Sequence, residues 1–245
     1  MGKIEDGYVR GLVGSTISRR VGNLNVLQGS PRFRVKQTEA TKAAGTDFGT
    51  ASRCARMIRY AFWSLILDYQ DGGMINRLNA QVLRAMRANR RQQTGTMQLS
   101  AGKLHRLVDF QFNAKCHLQD YLFVDIVVEY TSSGNLDVII PAFHSERDLL
   151  WSGDMTHCSI QLLAVAFDFE GKAKRGIGRR EYIIPLRTRE KDVLKQHWHF
   201  DVAEPAGTVI LVGLSLEFMY NMGSRFHLLN NKELHPAAIV GAFVV

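Results

Sequence analysis

The chain has 245 residues, of which 46% are hydrophobic, so it can build a substantial core and is not expected to stay disordered. Its net charge of +8 is uneven: residues 1–115 hold 19 Lys and Arg against 7 Asp and Glu, whereas residues 116–245 hold 12 against 16. A basic first half favours an anionic partner: nucleic acid, an anionic surface or the acidic half of another copy. No apolar run is long enough to span a membrane and no secretory signal is recognisable, so we expect synthesis in the cytoplasm, with later release from the cell left open.

The first 37 residues are predicted to form a glycine-rich extended arm. Six glycines interrupt the segment and its apolar residues follow no helical period, although the pieces 15–21 and 25–27 favour β structure. Ordering a backbone costs about 1–2 kcal/mol per residue, so such an arm needs a surface that covers it. We expect that surface to belong to a neighbouring subunit, with Ile17, Val21, Val26 and Leu27 as the assembly contacts.

Residues 38–103 are predicted to form a helical hairpin and a linker. The first helix carries apolar residues at helical spacing up to Leu65, and Asp71-Gly72-Gly73 then breaks it. A second helix follows, and its apolar side begins with Met74 and Leu78. Two helices joined by a short glycine turn form an αα-hairpin.

Arginines line the second predicted helix. Arg77, Arg84 and Arg91 recur at seven-residue steps, and Arg87 lies beside the last of them. Such a row can contact phosphates, which makes these four residues candidates for binding an anion or nucleic acid. The interpretation that the sequence favours is a solvated or subunit-facing helix surface, since no RNA-recognition, KH or zinc-finger pattern is present.

From residue 104 the hydrophobic period changes from 3.6 to 2, which predicts seven or eight strands and an antiparallel β-sandwich over 104–245. The runs 121–130 and 209–220 alternate most clearly, and shorter runs include 106–113 and 158–168. The pattern is compatible with an immunoglobulin-like architecture, although the Cys…Trp…Cys signature is missing. The predicted fold class is therefore α+β: an extended N-terminal arm, a helical hairpin and an antiparallel β-sandwich.

The sequence contains no catalytic signature. His197 and His199 share one face of a predicted strand, but zinc needs three or four ligands, so we expect a solvent-facing histidine pair. The basic run 172–180 lacks a phosphate-loop pattern and is typical of a charged hairpin loop. The three cysteines form no paired motif, which predicts buried thiols. We predict no catalytic residue, metal or cofactor, and hence a protein that is not an enzyme.

The opening of the chain combines several short motifs. The residues concerned are Met1 to Ile4, Gly7, Gly11, Gly14, Val21-Gly22, Ser30-Pro31 and Thr38-Glu39-Ala40. This combination resembles a family of short Bacteroidota proteins that open with Met-Gly-Lys-Ile and a glycine-rich segment and end in a β-sandwich-like region. The family has no known activity, so the resemblance implies an order of elements and no site residue.

These features together predict a structural, self-assembling protein. We expect it to be the subunit of a filament or another homopolymer, in which the N-terminal arm links neighbouring subunits. The alternative is a nucleic-acid-binding or coat protein that uses the basic N-terminal half.

Overall fold

The N-terminal segment is a small sheet of consecutive hairpins and not a single extended arm. The computed structural model describes residues 2–5, 7–30, 36–131 and 133–245, and the chain divides into two compact units, Met1–Lys42 and Ala43–Val245. The strands of the first unit pair antiparallel in sequence order. They are β1 (Lys3–Glu5), β2 (Tyr8–Val13), β3 (Thr16–Val21) and β4 (Leu24–Gly29).

Glycine turns explain why this segment folds back on itself. Gly14-Ser15 joins β2 to β3, and Gly22-Asn23 joins β3 to β4. Gly14 and Gly22 have φ values of +61° and +60°. A left-handed glycine at the first position of a two-residue link is typical of a type II′ turn, whose twist matches that of the flanking antiparallel strands. These glycines therefore form hairpins, which the expectation of an extended arm did not include.

Helices occur in the two places where helical periodicity is found. They are α1 (Glu39–Ala61), α2 (Trp63–Ile66) and α3 (Met74–Arg87). The first predicted helix is interrupted after Ala61, and α2 ends where Leu67 adopts a left-handed conformation with φ +51°. Met74 and Leu78 are buried in α3, which ends at Arg87.

The second unit contains three antiparallel sheets in its described residues. Their strands are β5 (Val127–Tyr130), β6 (Asn135–Ile140), β7 (Phe143–His144), β8 (His157–Asp168), β9 (Ala173–Pro185), β10 (Asp192–Val193), β11 (Gln196–Asp201), β12 (Val209–Asn221), β13 (Phe226–Leu228) and β14 (Ala237–Val244). The largest sheet has the order β13-β12-β8-β9, with β14 also paired to β12, while β11-β6-β5 form a second sheet and β10-β7 a third. The α+β class with antiparallel strands is confirmed. The sandwich or immunoglobulin-like arrangement and the three-part division into 1–37, 38–103 and 104–245 stay predictions.

The run 106–113, predicted to be a strand, is mostly irregular. It begins at the end of the 3₁₀ helix Leu104–Leu107 and then runs alongside β14. The N–H groups of Asp109 and Phe112 donate to the oxygens of Ile239 and Ala237, each at 2.8 Å. This segment therefore covers the outer edge of β14, although no continuous ladder forms.

The five-stranded sheet contributes to two hydrophobic clusters. Ile160 of β8 shares one cluster with Val138 of β6 and Trp198 of β11. Phe167 of the same strand shares the other cluster with Phe62, which lies between α1 and α2. The helices and the three-stranded sheet therefore both bury apolar side chains against this central sheet. Within the described parts of the chain, no helix is long and apolar enough to cross a membrane.

Candidate assembly surface

The strand register of the N-terminal sheet places five apolar side chains on one face, while Val13, which pairs with Thr16, and Leu27 lie on the other. Leu12 pairs with Ile17, Val21 pairs with Leu24, and Arg19 of β3 pairs with Val26. Directly paired residues, and alternate residues along one strand, lie on the same face. Three of the four predicted assembly contacts, Ile17, Val21 and Val26, therefore share this face with Leu12 and Leu24.

Leu27, the fourth predicted contact, lies on the opposite face. It pairs with Ser18, which is one residue along β3 from Ile17. Its side chain is 73% exposed. A period-two strand sends neighbouring residues to opposite sides, so Leu27 cannot contact the same partner surface as Val26.

The apolar face is not covered within its own unit. Leu24 is 70% and Val21 is 51% exposed, and Leu12 is also exposed. Of the residues described between positions 2 and 42, Ser18 alone is buried, and its hydroxyl donates to the backbone oxygen of Val9 at 2.6 Å. The N-terminal sheet consequently has no hydrophobic core of its own.

The first unit is basic as well as apolar. Residues 1–42 hold eight Lys and Arg against three Asp and Glu. Arg10 forms an exposed ion pair with Glu5 at 2.9 Å, and Arg20 lies over the ring of Tyr8 at 5.1 Å. Arg19 projects from the apolar face itself. A partner for this sheet should therefore combine apolar side chains with carboxylates.

One edge of the second unit has these properties. Among the described strands, β5 pairs with β6 alone, so its outer edge has no ladder partner. The exposed residues along this edge and just before it alternate between acidic and apolar types: Phe123, Asp125, Val127 and Glu129. We refer to residues 123–129 as the acidic edge.

Arg77, one of the four candidate anion-binding residues, is engaged within the fold. Its guanidinium pairs with Asp71, donates to the backbone oxygen of Gln111 at 2.9 Å and lies 5.2 Å from the ring centre of Phe110. These contacts attach the start of α3 to the irregular segment 106–113, which runs alongside β14. Arg77 therefore has a structural role and is not free for an external anion.

The other three candidate arginines are exposed. Arg84 and Arg87 lie in the last turn of α3, where cations interact favourably with the helix dipole. Arg91 lies beyond the end of the helix, so the seven-residue spacing does not place it on the face of Arg84. The structure thus leaves Arg84 and Arg87 on α3 and removes Arg91 from the regular row that the spacing predicts.

The histidine pair of β11 shares a carboxylate from the neighbouring strand. Asp137 lies opposite His199, and its Oδ1 is 3.0 Å from His199 Nδ1 and 2.7 Å from His197 Nε2. These hydrogen bonds lower the pKa of Asp137, and the bonds to Asp137 and Asp201 raise the pKa of His199. Both histidines are exposed, whereas Trp198 between them is buried. In the portion of the chain that is described, no group of three His, Cys, Asp or Glu side chains is arranged to hold a metal ion.

A polar cluster on the five-stranded sheet was missed by sequence reasoning. The hydroxyl of Ser159 and the amide of Gln161, both buried, donate to one oxygen of Glu181 at 2.8 and 2.6 Å, and Arg179 donates to the Gln161 oxygen at 2.9 Å. Glu217 lies opposite Ser159, and burial raises its pKa. Polar residues two apart within the apolar run 158–168 indicate a polar strip, but its partners depend on strand pairing. The mutual hydrogen bonds favour a role in holding the strands in register.

The cysteines are buried and free, as predicted: Cys54, Cys116 and Cys158. Burial raises the pKa of the Cys54 thiol to about 11 and also raises that of Cys158. The reactive thiolate is therefore scarce at neutral pH at both positions.

No protein-family model matches this chain, and a comparison with curated proteins finds no match. The resemblance to the Bacteroidota family stays a prediction.

Proposed function

We propose that this protein is a structural subunit that assembles with copies of itself through its N-terminal sheet. The observation that carries the proposal is the apolar face formed by Leu12, Ile17, Val21, Leu24 and Val26, on which Leu12, Val21 and Leu24 are exposed and Ile17 and Val26 are half-buried. A filament or another homopolymer is the expected product.

Energetics favour a partner on this face. A small sheet is stable when a hydrophobic face packs against something, and ordering its backbone costs about 1–2 kcal/mol per residue. Burying a Val or Leu side chain completely contributes about 1.5–3 kcal/mol. Because Val21 and Leu24 remain mostly exposed in the single chain, most of that contribution is still available to an intermolecular contact.

A second copy provides the chemistry that this face requires. The acidic edge offers exposed Phe123 and Val127 for apolar contact, and Asp125 and Glu129 for the basic sheet. Because the donor and acceptor surfaces are different, the contact is head-to-tail, which produces a ring if it closes and a filament if it does not.

Deletion of residues 1–30 tests the proposal. All the buried apolar residues described lie at or after Ala51, so we expect the truncated protein to fold, with a far-ultraviolet circular dichroism signal that loses only the contribution of β1 to β4. We also expect it to sediment as a monomer at concentrations where the full chain forms polymers visible by electron microscopy. An unfolded truncation would show that the sheet belongs to the chain's own core, and unchanged polymers would remove the sheet from assembly.

The acceptor surface is tested separately by charge reversal. We expect Asp125→Arg with Glu129→Arg to weaken assembly, because the basic sheet would then meet like charges. The matched control is Asp154→Arg with Glu190→Arg, since both residues are exposed and form no salt bridge among the described residues. Equal weakening by both pairs would indicate a general charge effect and would exclude the acidic edge as the acceptor.

A further inference from the structure

A second surface of the chain is strongly basic and lies outside both the N-terminal sheet and the acidic edge. Residues 72–108 contain seven Lys and Arg and no Asp or Glu. Arg77 is neutralised by Asp71, as described above. The other six are exposed and define what we call the α3 basic surface: Arg84, Arg87, Arg90, Arg91, Lys103 and Arg106.

Local packing brings these residues together from three segments. The N–H of Lys103 donates to the oxygen of Ala85 at 2.9 Å, which joins the 3₁₀ helix Leu104–Leu107 to α3. The amide of Asn89 donates to the oxygen of Ala101 at 2.7 Å, which holds the turn after α3 against the same segment. The end of α3, the turn and the 3₁₀ helix therefore form one continuous cationic surface.

The charges on this surface are not neutralised within the chain. Several cations elsewhere have partners, as in the Lys115–Glu233, Arg175–Glu204 and Lys191–Glu146 pairs. No member of the α3 basic surface forms a salt bridge with any residue of the described ranges. The helix dipole accounts for cations in the last turn of α3, but not for Lys103 and Arg106, which lie outside that helix.

The surface also lacks the features of a protein interface. The buried centre of such an interface is more apolar than the rest of the protein surface. Between Ile75 and Phe123, every residue is described and no large apolar side chain is exposed. An open groove of about 590 Å³ begins beside Arg84, and its lining mixes polar side chains such as Gln81 and His117 with the apolar side chains of Val108 and Phe110. These properties suit a polyanion better than an acidic protein.

We propose that the α3 basic surface binds the phosphodiester backbone of a nucleic acid without sequence preference. Lys and Arg that neutralise phosphates release condensed counterions, and this release drives binding that depends on salt and not on base identity. No Phe, Tyr or Trp side chain is exposed between Ile75 and Phe123, so the surface offers no large aromatic ring for base stacking. This inference does not depend on self-assembly through the N-terminal sheet.

The experiment uses the full chain and fluorescent oligonucleotides of mixed sequence, one duplex DNA and one single-stranded RNA. The test variant replaces Arg84, Arg87, Arg91 and Arg106 with glutamine. The matched control replaces Lys174, Arg189, Lys195 and Arg225 with glutamine, because these residues are exposed, form no salt bridge in the described structure and remove the same charge. Light scattering checks that both variants assemble like the original protein.

We expect the original protein to bind duplexes of unrelated sequence with equal affinity. At about 0.1 M salt the test variant should bind at least about tenfold more weakly, while the control stays within about twofold. The slope of log affinity against log salt should become shallower by about 3 to 4 in the test variant, since each phosphate contact contributes about 0.9.

Three results would overturn the inference. The first is equal loss of binding in the test and control variants, which would make net charge the cause. The second is displacement of the oligonucleotide by polyglutamate as efficiently as by unlabelled DNA, which would identify an acidic protein as the ligand. The third is strong preference for one base sequence, which a backbone contact cannot produce.

Discussion

Leu24 provides a sharp test of whether the N-terminal sheet is an interface. Its side chain is 70% exposed, and the second unit contains a leucine of almost equal exposure, Leu194, at 73%. Replacing an exposed leucine with serine has little effect on folding, because the side chain is already in water. If no partner covered the apolar face, Leu24→Ser and Leu194→Ser would therefore behave alike.

Self-assembly predicts that they differ. Full burial of a leucine contributes about 1.5–3 kcal/mol, so the exposed 70% of Leu24 leaves about 1–2 kcal/mol to be gained at an interface. That corresponds to a dissociation constant about 5- to 30-fold larger for Leu24→Ser. Leu194→Ser should leave the dissociation constant unchanged, because Leu194 belongs to neither the apolar face nor the acidic edge.

Sedimentation velocity over a concentration series measures the association, and urea unfolding of both variants measures folding stability. We expect equal urea midpoints and a weaker association for Leu24→Ser alone. Equal association of the two variants would refute the assignment of this face to assembly. A lower urea midpoint for Leu24→Ser, without any change in association, would show that the face packs within its own chain.

Three other predictions concern the core, salt and pH. Phe62→Ala should lower the free energy of unfolding by about 3–5 kcal/mol, because the ring is fully buried and packs directly against Gly213, where a side chain would otherwise lie. A urea midpoint close to that of the original protein would contradict this packing role. Assembly measured by light scattering should weaken only partly between about 0.1 and about 1 M salt, as the Debye length falls from about 10 to about 3 Å, and complete dissociation would contradict a mainly apolar contact. His199 should titrate above an ordinary histidine in an NMR pH series, because Asp137 and Asp201 hydrogen-bond its ring. The contribution of His199 to folding stability is therefore present below the ordinary histidine pKa and lost as pH rises through the raised pKa. Asp137→Asn should lower the midpoint of the His199 titration. An unchanged titration midpoint would show that the hydrogen bond between Asp137 and His199 does not form.

Local patterns in the sequence were sufficient for the fold class and for most elements. Helical spacing up to Leu65 and from Met74 predicted the helices, because a face that repeats every 3.6 residues must bury its apolar side. Apolar residues at every second position in 209–220 predicted β12, because side chains along a strand return to the same face every two residues. The dipeptides Gly14-Ser15 and Gly22-Asn23 also carried the hairpin signal of the N-terminal sheet. The number of glycines alone favours an extended arm, whereas their positions between short β-prone pieces favour hairpins.

The functional surfaces depended on contacts between residues far apart in the chain. Arg77 and Arg84 lie seven residues apart, at equivalent positions of the helical pattern. Arg77 pairs with Asp71 and donates to the backbone oxygen of Gln111, whereas Arg84 forms no salt bridge within the described chain. His199 meets Asp137 only because β11 pairs with β6 in one register. Side-chain type and spacing determine which elements form, since those depend on neighbouring residues. Which charges remain free for a partner depends on strand pairing and helix docking, and these bring together groups that no local pattern connects.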